Sequence, residues 1–368
     1  MTLQADVVIV GGGPAGIATA IAAAQKGLHA LVVDARKPPV DKACGEGLLP
    51  EAIASLRRLG VHVDSSSAFP FSGIRFTDAR SSASARISNG QAYGLRRTLL
   101  QQLLIERAEK IGVSFLWGTR VSGFNSGGAR TERGFIASRW IIGADGQNSN
   151  VRKCAGIGVR RASSRFGFRQ HYAIAPWTDL VEVHWGERCQ MILTPTRSNE
   201  ICISFMTSDS RLRIGRSLGQ FPEVEERLRG VLPATTEIGS VNTLGRARAA
   251  ARNNVALVGD ASCTVDGVSG QGLSLAFQQA LALGDALAAQ DLASYRRTHR
   301  RIIGKATSMA RLMLLMDRSA WIRRKALRLF AAQPGLFSKI ISIHMGETPA
   351  EELNASAMFD LGWQVLRQ

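Results

Sequence analysis

Long apolar runs are scarce in this sequence of 368 residues. The longest are interrupted by charged residues, among them Asp285, Arg311 and Asp317, so they fall short of the roughly 20 apolar residues that a transmembrane helix needs. The first residues, MTLQAD, carry no basic segment, and the apolar stretch after them breaks into glycines, unlike a secretory signal peptide. The sequence therefore predicts a soluble or peripheral protein that is not exported.

Cysteines and histidines are also few. The five cysteines are widely spaced without a CxxC pair, and the six histidines are scattered. This spacing gives no support to a zinc site. The Gly-x-Ser-x-Gly turn of serine hydrolases is missing as well. We therefore expect reduced thiols in the cytoplasm, no metal centre and no hydrolytic triad.

Acidic residues are outnumbered, which gives a formal net charge of +17. The excess is concentrated between Arg296 and Phe330, where nine arginines and two lysines stand against Asp317 alone. Such a helix-like segment can attract anionic lipid, a phosphate-bearing substrate or an acidic partner protein. A solvated arginine-rich face is the simpler interpretation and the favoured one. Nucleic-acid binding is not expected, because no recognition motif accompanies the charge.

The N-terminal pattern predicts a βαβ unit. A β-branched run at Asp6–Val10 ends in glycines, an alanine-rich helix follows over Ala15–Lys26, and a second strand covers Ala30–Asp34. Parallel strands need such a helical crossover between them. Further helices are expected at Glu51–Leu59 and Thr98–Lys110.

The middle of the chain has a different pattern. Between residues 166 and 206 the chain shows short strand-like runs separated by polar turns, at Leu180–Trp185, Met191–Thr194 and Ile201–Phe205. They predict a mostly antiparallel sheet inserted into the nucleotide-binding part. A buried strand then returns at Asn254–Val258, followed by a helix over Leu273–Leu287.

The turn after the first strand carries the chemistry of a nucleotide site. Gly11, Gly13 and Gly16 have GxGxxG spacing, which allows a tight turn, close approach of the backbone to a pyrophosphate, and packing of the helix on the sheet. The helix N-terminus favours negative charge. Asp34 ends the second strand, where a carboxylate accepts hydrogen bonds from ribose hydroxyls. These features predict dinucleotide binding without separating NAD from FAD.

Two later segments distinguish FAD from NAD. Gly143 to Arg152 and Val255 to Ala261 each place an aspartate after an apolar strand and a glycine turn. Both resemble motifs of FAD-dependent monooxygenases and related flavoproteins, in which the second aspartate binds the ribityl chain and the next helix turns its N-terminus to the flavin ring. The resemblance implies an FAD site formed by Gly11, Gly13, Ala15, Gly16, Asp34, Arg97, Asp145, Gly259, Asp260, Gly270 and Gly272.

The segment from Lys42 to Leu48 indicates a subgroup. Its Cys-Gly-Glu-Gly sequence resembles that of geranylgeranyl reductases, in which a cysteine-glycine pair lies near the isoalloxazine. This makes Cys44 the candidate catalytic residue, with a small buried packing role as the alternative. Aromatic hydroxylases usually have a proline before the last glycine turn, where this chain has Asp266 to Ser269. Flavin-dependent halogenases need an active-site lysine and a Trp-x-Trp-x-Ile-Pro motif, but no lysine lies between Lys42 and Lys110 and the tryptophan motif is missing.

Together these features predict an α/β fold: a discontinuous Rossmann-like FAD-binding domain over residues 1–160 and 246–290, a mostly antiparallel β-sheet substrate domain over 161–245, and a C-terminal helical region over 291–368. The expected activity is double-bond reduction in an apolar or aromatic small molecule, with NAD(P)H as a transient electron donor. Two alternatives stay open: hydroxylation of an aromatic or polyketide-like substrate, and a non-catalytic flavoprotein that binds a partner or membrane. His171, Tyr172, Trp177, His184 and Trp185 either pack in the core, which is favoured, or line a substrate pocket.

Overall fold

The computed structural model describes residues 3–347, apart from the side chains of residues 305–312. The helices are α1 Pro14–Ala24, α2 Pro50–Arg58, α3 Arg97–Lys110, α4 Asn150–Cys154, α5 Ile214–Ser217, α6 Pro222–Arg227, α7 Gly272–Ala288, α8 Leu292–Arg318, α9 Ala320–Ala332 and α10 Pro334–His344. The strands are β1 Leu3–Val10, β2 Ala30–Asp34, β3 Gly47–Leu48, β4 Phe69–Phe71, β5 Gly73–Thr77, β6 Ser82–Arg86, β7 Ala92–Gly94, β8 Ser114–Trp117, β9 Val121–Asn125, β10 Gly128–Thr131, β11 Gly134–Gly143, β12 Val159–Tyr172, β13 Leu180–Trp185, β14 Cys189–Arg197, β15 Glu200–Thr207, β16 Ile238–Ala247, β17 Ala251–Arg252, β18 Val255–Leu257 and β19 Cys263–Thr264.

The first sheet has a parallel centre in the order β18-β11-β1-β2-β8. Val8 of β1 pairs with Leu31 of β2 on one side and with Ile141 of β11 on the other. Both neighbours run parallel to β1, so the chain must cross over between them, and α1 makes the first crossover. Ile17 of α1 and Phe277 of α7 are fully buried in the core on one face of this sheet. The predicted βαβ unit is confirmed.

The second sheet has the order β19-β16-β12-β15-β14-β13-β5-β6 and is antiparallel except where β13 pairs with β5. This corrects the domain boundaries drawn from the sequence, because β5 and β6 lie within the segment 1–160 that was given to the FAD-binding domain. Their sequences, GIRFT and SASAR, are short and carry glycine, serine and arginine rather than a β-branched run. Only the pairing with β13 shows which sheet they join.

A small third sheet, in the order β3-β7-β4, holds the chain just after Cys44. Gly47 of β3 pairs with Gly94 of β7. A Cβ on Gly94 would lie 1.7 Å from the carbonyl oxygen of Pro195 in β14. Glycine is therefore required for the small sheet to lie directly on the second sheet, and this contact fixes the position of the Cys44 segment.

The C-terminal helices α9 and α10 cover the second sheet at β6, and α8 packs on α7 and α9. Phe337 of α10 packs on Phe76 of β5 with ring centroids 5.3 Å apart and on Phe330 of α9 at 4.8 Å. The helical region predicted over 291–368 is thus observed as far as His344, and residues 348–368 lie outside the described residues. None of the helices in the described part of the chain is long and apolar enough to span a membrane.

Candidate active site

One large cavity, about 1030 Å³ in volume, extends from the start of α1 to the strands of the second sheet. Its volume is at the upper end of ligand pockets, which hold about 300–1,000 Å³. The predicted site residues that line it are Gly11, Gly13, Ala15, Asp34, Cys44, Arg97, Asp145, Gly259, Asp260, Gly270 and Gly272. Segments far apart in the sequence therefore meet around one space, and Gly16 packs behind its wall.

The glycines of the fingerprint have different physical tasks. A Cβ on Gly11, whose φ is +115°, would lie 2.4 Å from the carbonyl oxygen of Ala144, and a Cβ on Gly16 would lie 1.9 Å from the carbonyl oxygen of Gly11. These two glycines let α1 pack against the ends of β1 and β11. A Cβ on Gly13 would meet no protein atom within 4 Å and would stand in the cavity. Gly13 therefore leaves room for a ligand.

The part of the cavity that these glycines line forms a groove. The start of α7 repeats the same arrangement at the other end of this groove. A Cβ on Gly270 or Gly272 would also meet no protein atom within 4 Å, and both residues line the cavity. The first N–H groups of a helix have no intrahelical acceptor, so the starts of α1 and α7 both offer donors to an anionic or polar group. Two open glycine turns that face one groove therefore fit the FAD site that the sequence motifs predict.

Asp34 is held in a fixed orientation by the backbone. Its Oδ2 accepts a hydrogen bond from the Gly12 amide at 2.7 Å, and its Oδ1 accepts one from the Arg36 amide at 2.8 Å. Each oxygen keeps a lone pair for a further donor. Asp34 can therefore both tie the end of β2 to the glycine turn and accept a ribose hydroxyl.

The turn at Gly259 and Asp260 packs directly on the first turn of α1. A Cβ on Gly259 would lie 2.7 Å from the Cβ of Ala15. Asp260 lines the groove, where its Oδ2 lies 3.3 Å from the Nζ of Lys42. Both side chains are about two-fifths exposed, so this pair is screened and weak. Lys42 brings a positive charge to the groove that the motifs did not predict.

Asp145 has a structural task in addition to its place in the cavity wall. Its Oδ2 accepts hydrogen bonds from the amides of Asn150 and Val151 at 2.6 and 3.1 Å, at the start of α4. Its Oδ1 is buried and has no partner among the described atoms. This oxygen is the part of Asp145 that remains for a ligand.

Arg97 and its neighbour Arg96 point in different directions. Arg96 forms an ion pair with Glu200 of the second sheet. Arg97 lines the cavity, and its buried Nε has no partner among the described atoms. An unpaired buried donor is costly unless a ligand satisfies it. The geometry therefore favours Arg97, rather than Arg96, as the arginine that faces the cofactor.

Cys44 lies where the groove meets the second sheet. Its Sγ accepts a hydrogen bond from the Glu46 amide at 3.4 Å, and its carbonyl oxygen accepts one from the Ser204 hydroxyl at 3.2 Å. The side chain is half-buried and lines the cavity. Cys44 is thus accessible to a ligand in the cavity, whereas Cys189, Cys202 and Cys263 are buried.

A buried network anchors the Cys44 segment, and motif spacing alone did not reveal it. Glu46 has a positive φ of 58° and is 2% exposed. Its Oε1 accepts the Arg97 amide at 3.0 Å, and its Oε2 lies 2.7 Å from Nε2 of His171. His171 in turn contacts Arg169, which forms an ion pair with Asp41. The network ties both sides of Cys44 to β12.

This network has the residue types of a metal site, since ligand atoms of Glu46, His171 and Cys202 lie within 4.8 Å of one another. Its chemistry favours hydrogen bonding instead. Both carboxylate oxygens of Glu46 already have donors or partners. Burial, followed by the Glu46 carboxylate, raises the pKa of the Cys202 thiol well above its usual value, which disfavours the thiolate that a metal binds. The Arg169 guanidinium beside His171 also disfavours a cation.

The part of the cavity beyond Cys44 is an apolar chamber. Its apolar wall consists of Leu49, Phe71, Ile74, Phe76, Val181, Val183, Ile192, Met206, Val268 and Met313. These side chains come from the second sheet, from β4 of the small third sheet, from the residue before α2, from the turn before α7 and from α8. No single sequence motif contains them, so the sequence could not reveal the chamber.

His344, the last residue of α10, brings an imidazole to this chamber. It is 6% exposed and lines the cavity, and its Nδ1 has no partner among the described atoms. Burial lowers the pKa of His344 to about 4, opposed by a hydrogen bond that the ring donates to the backbone of Ser269. The ring is therefore neutral near pH 7. The sequence had no signal for it, because it is one isolated histidine near the C-terminus.

The aromatic and histidine side chains predicted on the inserted sheet pack inside the protein. Trp185 makes an edge contact with Phe76 at 5.0 Å, Tyr172 is 3% exposed in a hydrophobic cluster, and His184 lies 3.3 Å from Glu182. The favoured packing interpretation fits this geometry.

Comparisons with known proteins agree with the site. The sequence model of the FAD binding domain family matches residues 4–293. A menaquinone reductase of Mycolicibacterium smegmatis is 57% identical over 61 residues, which cover 17% of this chain and only 15% of that protein. A digeranylgeranylglycerophospholipid reductase of Methanococcus vannielii is 22% identical over 77% of this chain and 76% of its own length. A 6-methylpretetramide 4-monooxygenase of Streptomyces rimosus is 27% identical over 93% and 92%.

Solved structures share the fold at lower identity. A flavoprotein/dehydrogenase of Cytophaga hutchinsonii superposes with a TM-score of 0.81 at 17% identity, over 93% of both chains. The flavin-dependent brominase Bmp2 superposes with a TM-score of 0.77 at 17% identity, over 98% of both chains. At this identity the likeness extends to the fold alone.

Proposed function

The chain belongs to the FAD binding domain family and is an FAD-dependent oxidoreductase, and from this premise we propose that it reduces a carbon-carbon double bond in an apolar small molecule. The observation that carries the proposal is the continuity of one cavity. The glycine-lined groove opens past Cys44 into an apolar chamber, so a cofactor ring and an apolar substrate can occupy adjacent parts of the same space. Because the chain is an oxidoreductase, we do not retain the non-catalytic flavoprotein as a candidate function.

Reduction of a double bond needs a hydride at one carbon and a proton at the other. Bound FAD, once reduced, supplies hydride chemistry. The chain supplies binding, orientation and the proton. Cys44 stands at the boundary between groove and chamber, and its Sγ is held by the Glu46 amide. We infer that the Cys44 thiol holds the proton that goes to the second carbon, and that the apolar wall excludes water around it.

The electron donor is proposed to be NAD(P)H. Within residues 3–347 the fold has one Rossmann-like unit, formed around β1, β2 and β11. A nicotinamide would therefore bind transiently at the open cavity rather than in a domain of its own. Anaerobic oxidation of NADH and NADPH by the FAD-loaded protein, measured separately, distinguishes the two donors.

Of the three relatives described above, two favour a reductase and one favours a monooxygenase. The menaquinone and digeranylgeranylglycerophospholipid reductases are reductases by name. The 6-methylpretetramide 4-monooxygenase matches over more of both chains and favours hydroxylation of a polyketide-like substrate as the second candidate. The neutral imidazole of His344 in the chamber suits a substrate oxygen and is compatible with this alternative.

Product analysis separates the two activities. The FAD-loaded protein is incubated with NAD(P)H and isoprenoid, quinone or polyketide test compounds, with and without oxygen, and the products are analysed by mass spectrometry. We expect a gain of hydrogen without oxygen, and oxygen incorporation would establish hydroxylation instead. Cys44→Ser is expected to keep FAD bound and to lower reduction about tenfold or more. Unchanged turnover in this variant would remove Cys44 from the mechanism.

A further inference from the structure

The corner between α8 and α9 exposes two large apolar side chains. Leu315 in the last turn of α8 is 47% exposed, and Trp321 in the first turn of α9 is 48% exposed. The Nζ of Lys325 lies 4.5 Å from the centroid of the Trp321 ring. Tryptophan beside a cation is typical of side chains that lie at a lipid-water interface.

The charged side chains that α8 and α9 expose at this corner are cationic. Asp317 is the single acidic residue between Arg296 and Phe330, and it turns inward to Arg165 at 3.4 Å. Arg318 and Arg328 are exposed. The segment therefore presents cations to solvent, and its one carboxylate does not neutralise them at the surface. Anionic lipid headgroups are attracted to such a surface.

The inner side of the same helices faces the apolar chamber. Met313 of α8 lines the chamber, and Met316 and Leu327 pack in the same hydrophobic cluster as Phe76. One helical layer thus has the chamber on its inner side and the exposed tryptophan and cations on its outer side. This arrangement suits a substrate that is dissolved in a membrane, a point that rests on the proposed function.

We propose that the protein docks on anionic lipid bilayers through the corner between α8 and α9, with Trp321 and Leu315 in the lipid interface and Arg318 and Arg328 on the headgroups. An acidic protein partner would use the cations but has less need of two apolar side chains among them. The combination of apolar and cationic side chains is the pattern of interfacial helices.

Vesicle sedimentation tests the proposal with the full FAD-loaded chain. We expect binding to vesicles of phosphatidylcholine with phosphatidylserine and little binding to phosphatidylcholine alone. The double variant Leu315→Ala/Trp321→Ala is expected to weaken binding about tenfold, and Arg318→Gln/Arg328→Gln to weaken it about tenfold or more. Leu232→Ala and Arg58→Gln/Arg133→Gln are matched controls, because these residues are exposed elsewhere on the surface.

Three results would overturn the proposal: absence of binding to the anionic vesicles, equal loss in the corner and control variants, or equal binding to polyglutamate that depends on the arginines but not on Trp321. The last result would assign the surface to acidic proteins. Vesicle binding is measured without turnover. A chain that binds vesicles but reduces no apolar compound would therefore refute the proposed function alone.

Discussion

The glycine-lined groove and the apolar chamber share one cavity but are built in different ways. The groove is formed mainly by backbone, at turns where Gly11, Gly13 and Gly270 leave out a side chain. The chamber is formed by side chains that converge from β5, β13, β14, β15, α8 and α10. A backbone turn depends on a few neighbouring residues, whereas convergence depends on packing across the whole fold. The groove therefore has sequence motifs and the chamber has none.

The largest effect is expected in the groove. Gly16→Val would place a Cβ 1.9 Å from the carbonyl oxygen of Gly11, so α1 must move away from β1, at a cost of more than about 4 kcal/mol. Thermal unfolding measures the loss of stability, and FAD titration measures the loss of cofactor binding.

Gly13→Ala separates these two quantities, because its added Cβ meets no protein atom within 4 Å. It should keep the stability of the FAD-free protein and weaken FAD binding about tenfold or more.

Gly219→Ala is the matched control, since its Cβ also meets nothing within 4 Å and it lies away from the groove. It should affect neither quantity. If Gly13→Ala bound FAD as tightly as the unchanged protein, the groove would not be the cofactor site, and the contrast with the chamber would fail.

The next largest effect is expected in the free energy of unfolding at acidic pH, through a histidine that lines the chamber. Burial lowers the pKa of His344 to about 4 from an ordinary value of 6.5. The unfolded state therefore binds more protons between these two pH values, and the free energy of unfolding falls as pH drops through this range, by up to about 3 kcal/mol. His299, whose pKa burial also lowers to about 4, contributes in the same direction.

Denaturant unfolding at several pH values checks this effect. His344→Met should reduce the loss of stability between pH 6.5 and about 4 by roughly half, while Gln in place of the exposed His62 should leave the loss unchanged. An unchanged pH slope in His344→Met would show that the imidazole is not held neutral beside the chamber.

A smaller effect is expected when the chamber is narrowed without touching the groove. Val181 lines the chamber and is 9% exposed, so Val181→Phe should lower kcat/KM for an apolar substrate about 30-fold through loss of space. The FAD dissociation constant should stay the same. Leu232→Phe, at a position that is 83% exposed, is the control. A change in FAD affinity equal to the loss of turnover would show that groove and chamber are not separable.

Much of the fold was predictable from local patterns. The bounds expected for β2 and β13 match the structure, and the four expected helices begin and end within two residues of the observed ones. Strands β5 and β6 were missed because residues 73–86 have a weak strand pattern, and because a parallel partner more than 90 residues later leaves no mark in the local sequence.

The candidate site was predictable only where its residues belong to a motif. Cys44 and Arg97 were identified through their neighbours in sequence. Glu46, His171 and Arg169 were not identified as a unit, because β12 brings its two members to the Cys44 segment from over 100 residues away. His344 reached the chamber in the same way, through the packing of α10 on β6.

The sequence by itself determined the βαβ unit, the glycine turns and the aspartates that mark an FAD site. These features follow from covalent geometry and backbone hydrogen bonding over a few residues. The tertiary structure alone decided that Glu46 locks the Cys44 segment and that an apolar chamber adjoins the glycine-lined groove. Such features arise from long-range packing, in which the position of each side chain depends on elements distant in the chain.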